Sequence, residues 1–155
     1  SCAYLDDHGL RTLAEQASGI TTEFENVPAR ALSALARTRP VSPAADAVSI
    51  AQDRALEKAH FTRCQVPVAP HAVLRTAQDL AQVPNTLLPG ILKTATLGYD
   101  GKGQVRVRTR EELDAGWTRL QAQATQPVVC VLEQMLPLAA ECSVIVARGR
   151  DGHHQ

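Results

Sequence analysis

The stretch that most constrains this chain runs from Leu92 to Val107, LKTATLGYDGKGQVRV. An apolar run, PGILKTA, leads into three glycines, Gly98, Gly101 and Gly103, and QVRVRT follows at once. Val105 and Val107 alternate with Arg106 and Arg108, the period of two that gives a strand one apolar and one polar face. Glycine supplies the positive φ that a tight loop needs, so the stretch predicts two antiparallel strands joined by a glycine loop. Lys93 interrupts the first apolar run, and a lysine in a core-like strand must meet a partner or emerge into a cleft. The successive N–H groups of such a loop can line a concavity for phosphate oxygens. The spacing is not GxxxxGK[ST] and no helix follows directly, so a Walker loop and a dinucleotide fingerprint both fit poorly. A plain hairpin turn built on Asp-Gly is the bland alternative.

Around this loop, helix and strand signals alternate, which predicts an α/β (α+β) fold. GITTEF (19–24) reads as a strand, with a helix before it carrying Leu10, Leu13 and Ala14. Asn26 offers a cap, and Pro28 suits the first turn of VPARALSALART. RPVSPAAD (39–46) is the best candidate boundary, dividing the chain into 1–39 and 40–155. Asp46 is expected to cap AVSIA, and Asp53 to open RALEKAHFTRC with Ala55, Leu56 and Ala59 as its stripe. A strand is expected over His71–Leu74, and Thr76 with Asp79 forms a capping box. Thr109 with Glu112 forms a second one, opening a long helix with Leu113, Trp117 and Leu120 on its apolar stripe. VVCVLEQM and ECSVIVARG read as further strands, and RDG (150–152) as a hairpin signal. The opening helix–strand–helix is too small to bury a core, and the closing turn lacks a return strand. The chain therefore reads as a segment of a larger protein.

Charge and cysteines narrow the function classes. Sixteen basic and sixteen acidic residues cancel, and aromatics are 3%, which speaks against nucleic-acid and anionic-membrane binding. Cys2, Cys64, Cys130 and Cys142 lack metal-type spacing and read as reduced intracellular thiols, Cys130 and Cys142 within strands. Glu133 and Gln134 close one strand and Glu141 opens the next, so two acids at neighbouring strand ends can face one cleft and accept sugar hydroxyls. Arg54 and Lys58 lie one turn apart, as an anion contact or a solvated face with Asp53 and Glu57. The histidines show no shared ligand geometry.

TTEFENVPARAL, AQDRALEK, GILKTATLGYDGKGQ and VLEQMLPLAAECSVIVARG, in that order, resemble the carboxyaminoimidazole ribonucleotide synthases, ATP-grasp enzymes of purine biosynthesis. The resemblance covers nearly the whole chain. It implies the first half of an ATP-grasp domain, preceded by the tail of a Rossmann-like domain. It implies that Lys93 contacts the α and β phosphates of ATP, with Arg54 on the phosphate side. Gly98, Tyr99, Asp100, Gly101, Lys102, Gly103 and Gln104 would form a flap over the phosphates, with Tyr99 and Asp100 facing 5-aminoimidazole ribonucleotide. Glu133, Gln134, Met135 and Leu136 would form the hinge that reads adenine, and Glu141 would hold the ribose.

The implied reaction uses ATP and bicarbonate to make carboxyphosphate, whose carboxyl passes to the ribonucleotide amine. Mg²⁺ would bridge phosphates through ligands outside these residues, so the chain alone is expected not to turn over. The family also implies a cytoplasmic enzyme and a homodimer. Two alternatives stay open: another ATP-grasp carboxylase or ligase, and a non-catalytic nucleotide-binding module.

Overall fold

A computed structural model of the 155-residue chain describes residues 3–98, 103–146 and 149. The first helix, α1 (Asp7–Gln16), is capped by Asp6, whose carboxylate accepts the Gly9 N–H at 2.9 Å. Strand β1 (Ile20–Thr21) is shorter than GITTEF suggested. It pairs in parallel with β2 (Val41–Ser42), Ile20 opposite Val41. Strand β2 lies inside RPVSPAAD, so this pairing crosses the division expected at residue 39.

Helix α2 (Ala29–Leu35) follows β1, and α3 (Ala45–Ala51) follows β2. Their caps differ from expectation. Pro28 rather than Asn26 holds the N-cap position of α2, and Ala44 rather than Asp46 holds that of α3, neither with a side-chain bond. Asp46 instead lies in the first turn of α3, where a carboxylate meets the positive end of the helix dipole. Val27, Leu32 and Val48 form a small core here, with Val41 and Ala45 against it.

Helix α4 (Arg54–Arg63) begins where expected, because Asp53 accepts the N–H groups of Ala55 at 2.8 Å and Leu56 at 3.2 Å. Strand β3 (His71–Leu74) precedes α5 (Ala77–Ala81), which carries the complete Thr76–Asp79 capping box. Then come β4 (Gly90–Thr94), β5 (Gln104–Val107), α6 (Arg110–Ala122) and β6 (Cys130–Gln134). At α6 the second box is altered: Thr109 accepts from Glu112 N, but Glu112 reaches back to Arg108 N at 2.7 Å.

These four strands form an antiparallel sheet in the order β3-β6-β4-β5. One face carries Leu74, Leu92, Val107, Cys130 and Leu132, buried against Leu80 of α5 and Leu113 and Leu120 of α6. This is the main core, and apolar burial of roughly 25 cal/mol per Å² is its driving force. On the opposite face Val131 packs with Ala95 and Ala55 of α4.

Residues 141–146 form no strand among the described residues. The expected strand ECSVIV has Val144 79% and Ile145 93% exposed, and Cys142 is exposed rather than buried. Among the described residues this segment pairs with no strand, and β-branched composition alone does not make a ladder. The RDG turn lies outside the described residues. Among the described residues no helix is long and apolar enough to cross a membrane.

Candidate functional site

Strand register decides which side chains meet. Lys93 stands opposite Val131, and Ile91 opposite Glu133. Because faces alternate with period two, Ile91, Lys93, Val131 and Glu133 share the face away from the main core. Helix α4 lies over part of that face and turns Ala55 and Lys58 inward, both 8% exposed. Leu56, expected in its stripe, is 47% exposed instead.

Glu133 accepts both cations of this face. Lys58 Nζ lies 3.2 Å from its Oε2 and Lys93 Nζ 3.2 Å from its Oε1. The Lys93 side chain retains 23% exposure, against 10% for Lys58, so Lys93 is the arm nearer to solvent. Burial of Glu133 acts to raise its pKa, but the charges and hydrogen bonds of Lys93 and Lys58 outweigh it and hold the carboxyl below its ordinary value. Two ammonium groups on one carboxylate leave an excess positive charge, which suits an anionic ligand.

Arg54 fastens α4 to the glycine loop. Its backbone N–H donates to Ala95 O at 2.9 Å, and its guanidinium donates to Thr94 O at 3.0 Å and Gly98 O at 3.1 Å. The fork is thus engaged with the loop's stem. At the other side of the stem Thr94 N donates to Gly103 O at 2.8 Å. Gly103 has φ 69°, and a Cβ there would lie 2.5 Å from Thr94 Oγ1, so both space and backbone call for glycine. Gln104 opens β5 opposite Lys93. Tyr99, Asp100, Gly101 and Lys102 lie outside the described residues.

At the end of β6 the chain is held from two sides. Gln134 N donates to Pro70 O and Met135 N to Pro89 O, each at 2.9 Å, and Gln134 Nε2 donates to Thr86 O at 3.0 Å. The N–H groups of Gln134 and Met135, both in the expected hinge, are therefore committed within the chain. Leu136 is 43% exposed, and Glu141 is exposed, off any strand. Glu133 thus lies near the end of β6 as expected, but Glu141 opens no strand among the described residues. Glu133 meets lysines, and among the described residues both ion pairs end on it.

A cavity of about 360 Å³ adjoins the loop stem, bordered by Glu23, Glu25, Asn26, Arg54, Glu57 and Gly98. It brings TTEFENV and the glycine loop, far apart in sequence, to one place. Gln52 holds the first of these, its Nε2 donating to Glu25 O and Val27 O at 2.7 Å each.

Lys58 is the site residue whose role the sequence left undecided. Its spacing from Arg54 marked one helix face but not its direction. The only available signal was Ala55, small enough to let the helix approach the sheet and three residues from Lys58.

The ATP-grasp domain family matches residues 59–155, and the ribonucleotide synthetase preATP-grasp domain family matches residues 1–52. The N5-carboxyaminoimidazole ribonucleotide synthase of Pseudomonas aeruginosa is 37% identical over 96% of this chain, and that of Vibrio cholerae 36% identical over 94%. The chain spans only 40% and 39% of their lengths. An N5-carboxyaminoimidazole ribonucleotide synthetase solved as its ADP complex superposes with a TM-score of 0.88 at 32% identity, over 99% of this chain and 40% of that one. The synthetase from Thermus thermophilus superposes with a TM-score of 0.83 at 34% identity, again over 99% and 40%.

Proposed function

This chain belongs to the ATP-grasp family, and from that premise we propose that its protein is an N5-carboxyaminoimidazole ribonucleotide synthase. The observation that carries this reading is Lys93, on the partly covered sheet face, with its ammonium against Glu133 and the anchored glycine loop beginning at Gly98, four residues after its strand ends at Thr94.

ATP lies on that face. Lys93 neutralises its α and β phosphates as a point charge, and the flap from Gly98 through Tyr99, Asp100, Gly101, Lys102 and Gly103 to Gln104 covers them. Arg54 serves the phosphate side through the loop it anchors. The hinge of Glu133, Gln134, Met135 and Leu136 reads adenine with the backbone groups not committed elsewhere, and Glu141 accepts the ribose hydroxyls. The cavity between TTEFENV and the loop stem suits 5-aminoimidazole ribonucleotide beside the transferring phosphate.

In the reaction a bicarbonate oxygen attacks the γ-phosphorus and ADP leaves, giving carboxyphosphate. The ribonucleotide amine then attacks the carboxyl carbon and phosphate leaves. Positioning and charge neutralisation supply most of the rate in phosphoryl transfer. A closed flap keeps water from carboxyphosphate. Mg²⁺ would neutralise the phosphates further. Among the described residues no group of three or more His, Cys, Asp or Glu side chains is placed to hold a metal ion.

The test is carried out on the protein carrying this chain at the length of its relatives. ATP-dependent transfer of labelled bicarbonate to 5-aminoimidazole ribonucleotide is expected. Transfer to a different acceptor would instead support another ATP-grasp ligase. ADP at about 100 times its Kd should stabilise by roughly 2.7 kcal/mol, and Lys93→Ala should remove that gain. Equal stabilisation of the variant would sink the nucleotide site.

We place the protein in the cytoplasm, where exposed thiols such as Cys64 and Cys142 stay reduced, and expect a homodimer by gel filtration. The domain division is settled by limited proteolysis. Cleavage near Arg39 supports 1–39 and 40–155. Cleavage near Asp53 supports the longer N-terminal unit that the β1–β2 pairing and the Val27, Leu32 and Val48 cluster favour.

A further inference from the structure

Three side chains from three elements meet on the sheet face: Lys58 from α4, Lys93 from β4 and Glu133 from β6. Two cations for one carboxylate is more than charge balance needs, and burying an ammonium is costly unless it is paired. Lys58 is the more deeply buried of the two and is held by a capped helix. Lys93 is the more exposed and stands beside the loop stem.

We propose that Lys58 is a positioning residue, a standing counter-ion that keeps Glu133 paired so that Lys93 is free to leave it for the nucleotide phosphates. This rests on the nucleotide reading given above and assigns to it a residue that does not touch the ligand.

The reason is electrostatic. With Lys93 alone beside it, Glu133 would be left buried and unpaired whenever Lys93 turned to a phosphate. Removing one partner of a buried pair is strongly unfavourable because the other charge stays behind. Lys58 removes that penalty, since its own 3.2 Å contact uses the other carboxylate oxygen and persists when Lys93 moves. The three N–H donors of a lysine then all become available to phosphate oxygens. Glu133 in turn holds Lys93 folded against the sheet until an anion competes for it.

The experiment is a cycle on the protein carrying this chain, with ADP affinity read by calorimetry. Lys58→Met should weaken ADP binding by about tenfold, because Glu133 then keeps Lys93. Lys58→Arg should stay within about threefold of the parent, because the cation is retained. Adding Glu133→Gln to Lys58→Met should recover most of the lost affinity, which a merely structural role for Lys58 would not produce. ADP binding unchanged by Lys58→Met, or a double variant no tighter than the single one, overturns the inference. If Lys58→Met does not fold, side-chain NMR of the parent decides. On ADP addition the Lys93 Nζ resonance should move and that of Lys58 should stay, and equal movement of both overturns the counter-ion role. Lys93→Ala separates this from the site itself. ADP binding that ignores Lys93→Ala overturns both readings, whereas Lys93-dependent binding indifferent to Lys58→Met overturns only this one.

Discussion

Glu133 shows how a single residue couples stability to pH. Its folded pKa lies below the ordinary value of 4.5, because Lys93 and Lys58 outweigh the burial that works to raise it. A depressed carboxylate contributes stability that is present above the unfolded pKa and lost as pH falls through the folded one. The window therefore lies below 4.5. Replacement by Gln at neutral pH should cost about 2 kcal/mol, since Lys58 is left buried without its counter-ion. Urea unfolding at a series of pH values should show the gap between parent and Glu133→Gln closing as pH falls from 4.5 through that window. A gap that does not change would show that the ion pairs add nothing to folding.

Gly90 is a second residue-scale case. A Cβ there would lie 2.6 Å from Leu87 O and 2.8 Å from Glu133 O, both backbone atoms that cannot step aside. Gly90→Ala should destabilise by about 1–3 kcal/mol through overpacking, read as a lower urea midpoint. A midpoint equal to the parent's would mean the sheet end is looser than its contacts suggest.

Among the elements, α4 matters most, since it carries Arg54 and Lys58. Its start depends on Asp53, which accepts two N–H groups at the first turn. Asp53→Ala should cost about 1 kcal/mol, and Asp53→Ser or Asp53→Asn should restore most of it. Thermal unfolding distinguishes these, and three equal Tm values would rule out capping as the cause. Helix α6 offers the opposite case. Gly116 is buried against the sheet, yet a Cβ there would find Val105 at 3.4 Å, Val107 at 3.5 Å and Leu92 at 3.6 Å, ordinary contact distances. Gly116→Ala should gain about 0.5–1 kcal/mol from helix propensity alone. A loss of stability would show that α6 lies closer to the sheet than these distances allow.

At the scale of the whole molecule, the sheet shields one face and offers the other. Cys130 lies at 0% exposure on the shielded side, and burial pushes its thiol up to about 11. Cys64 and Cys142 are exposed. Alkylation at pH 8 mapped by mass spectrometry should label Cys64 and Cys142 quickly and Cys130 only under unfolding conditions, because a buried, protonated thiol is a poor nucleophile. Early labelling of Cys130 would show that the main core opens without global unfolding.

What the residues determined by themselves was local. The period of two in QVRVRT, the glycines before it, the Thr76–Asp79 box and the Asp53 cap each act within a few positions, so their outcomes could be read in order along the chain. The four segments behind the family resemblance were legible in the same way. Only the tertiary structure decided what depends on distant partners. Cross-strand register put Lys93 and Glu133 on one face, the approach of α4 turned Lys58 inward in place of Leu56, and Arg54 found carbonyl oxygens forty and more positions away. ECSVIV shows the converse: its composition suits a strand, but a ladder needs a neighbour. Periodicity reports which residues share a face, whereas packing alone decides what that face meets.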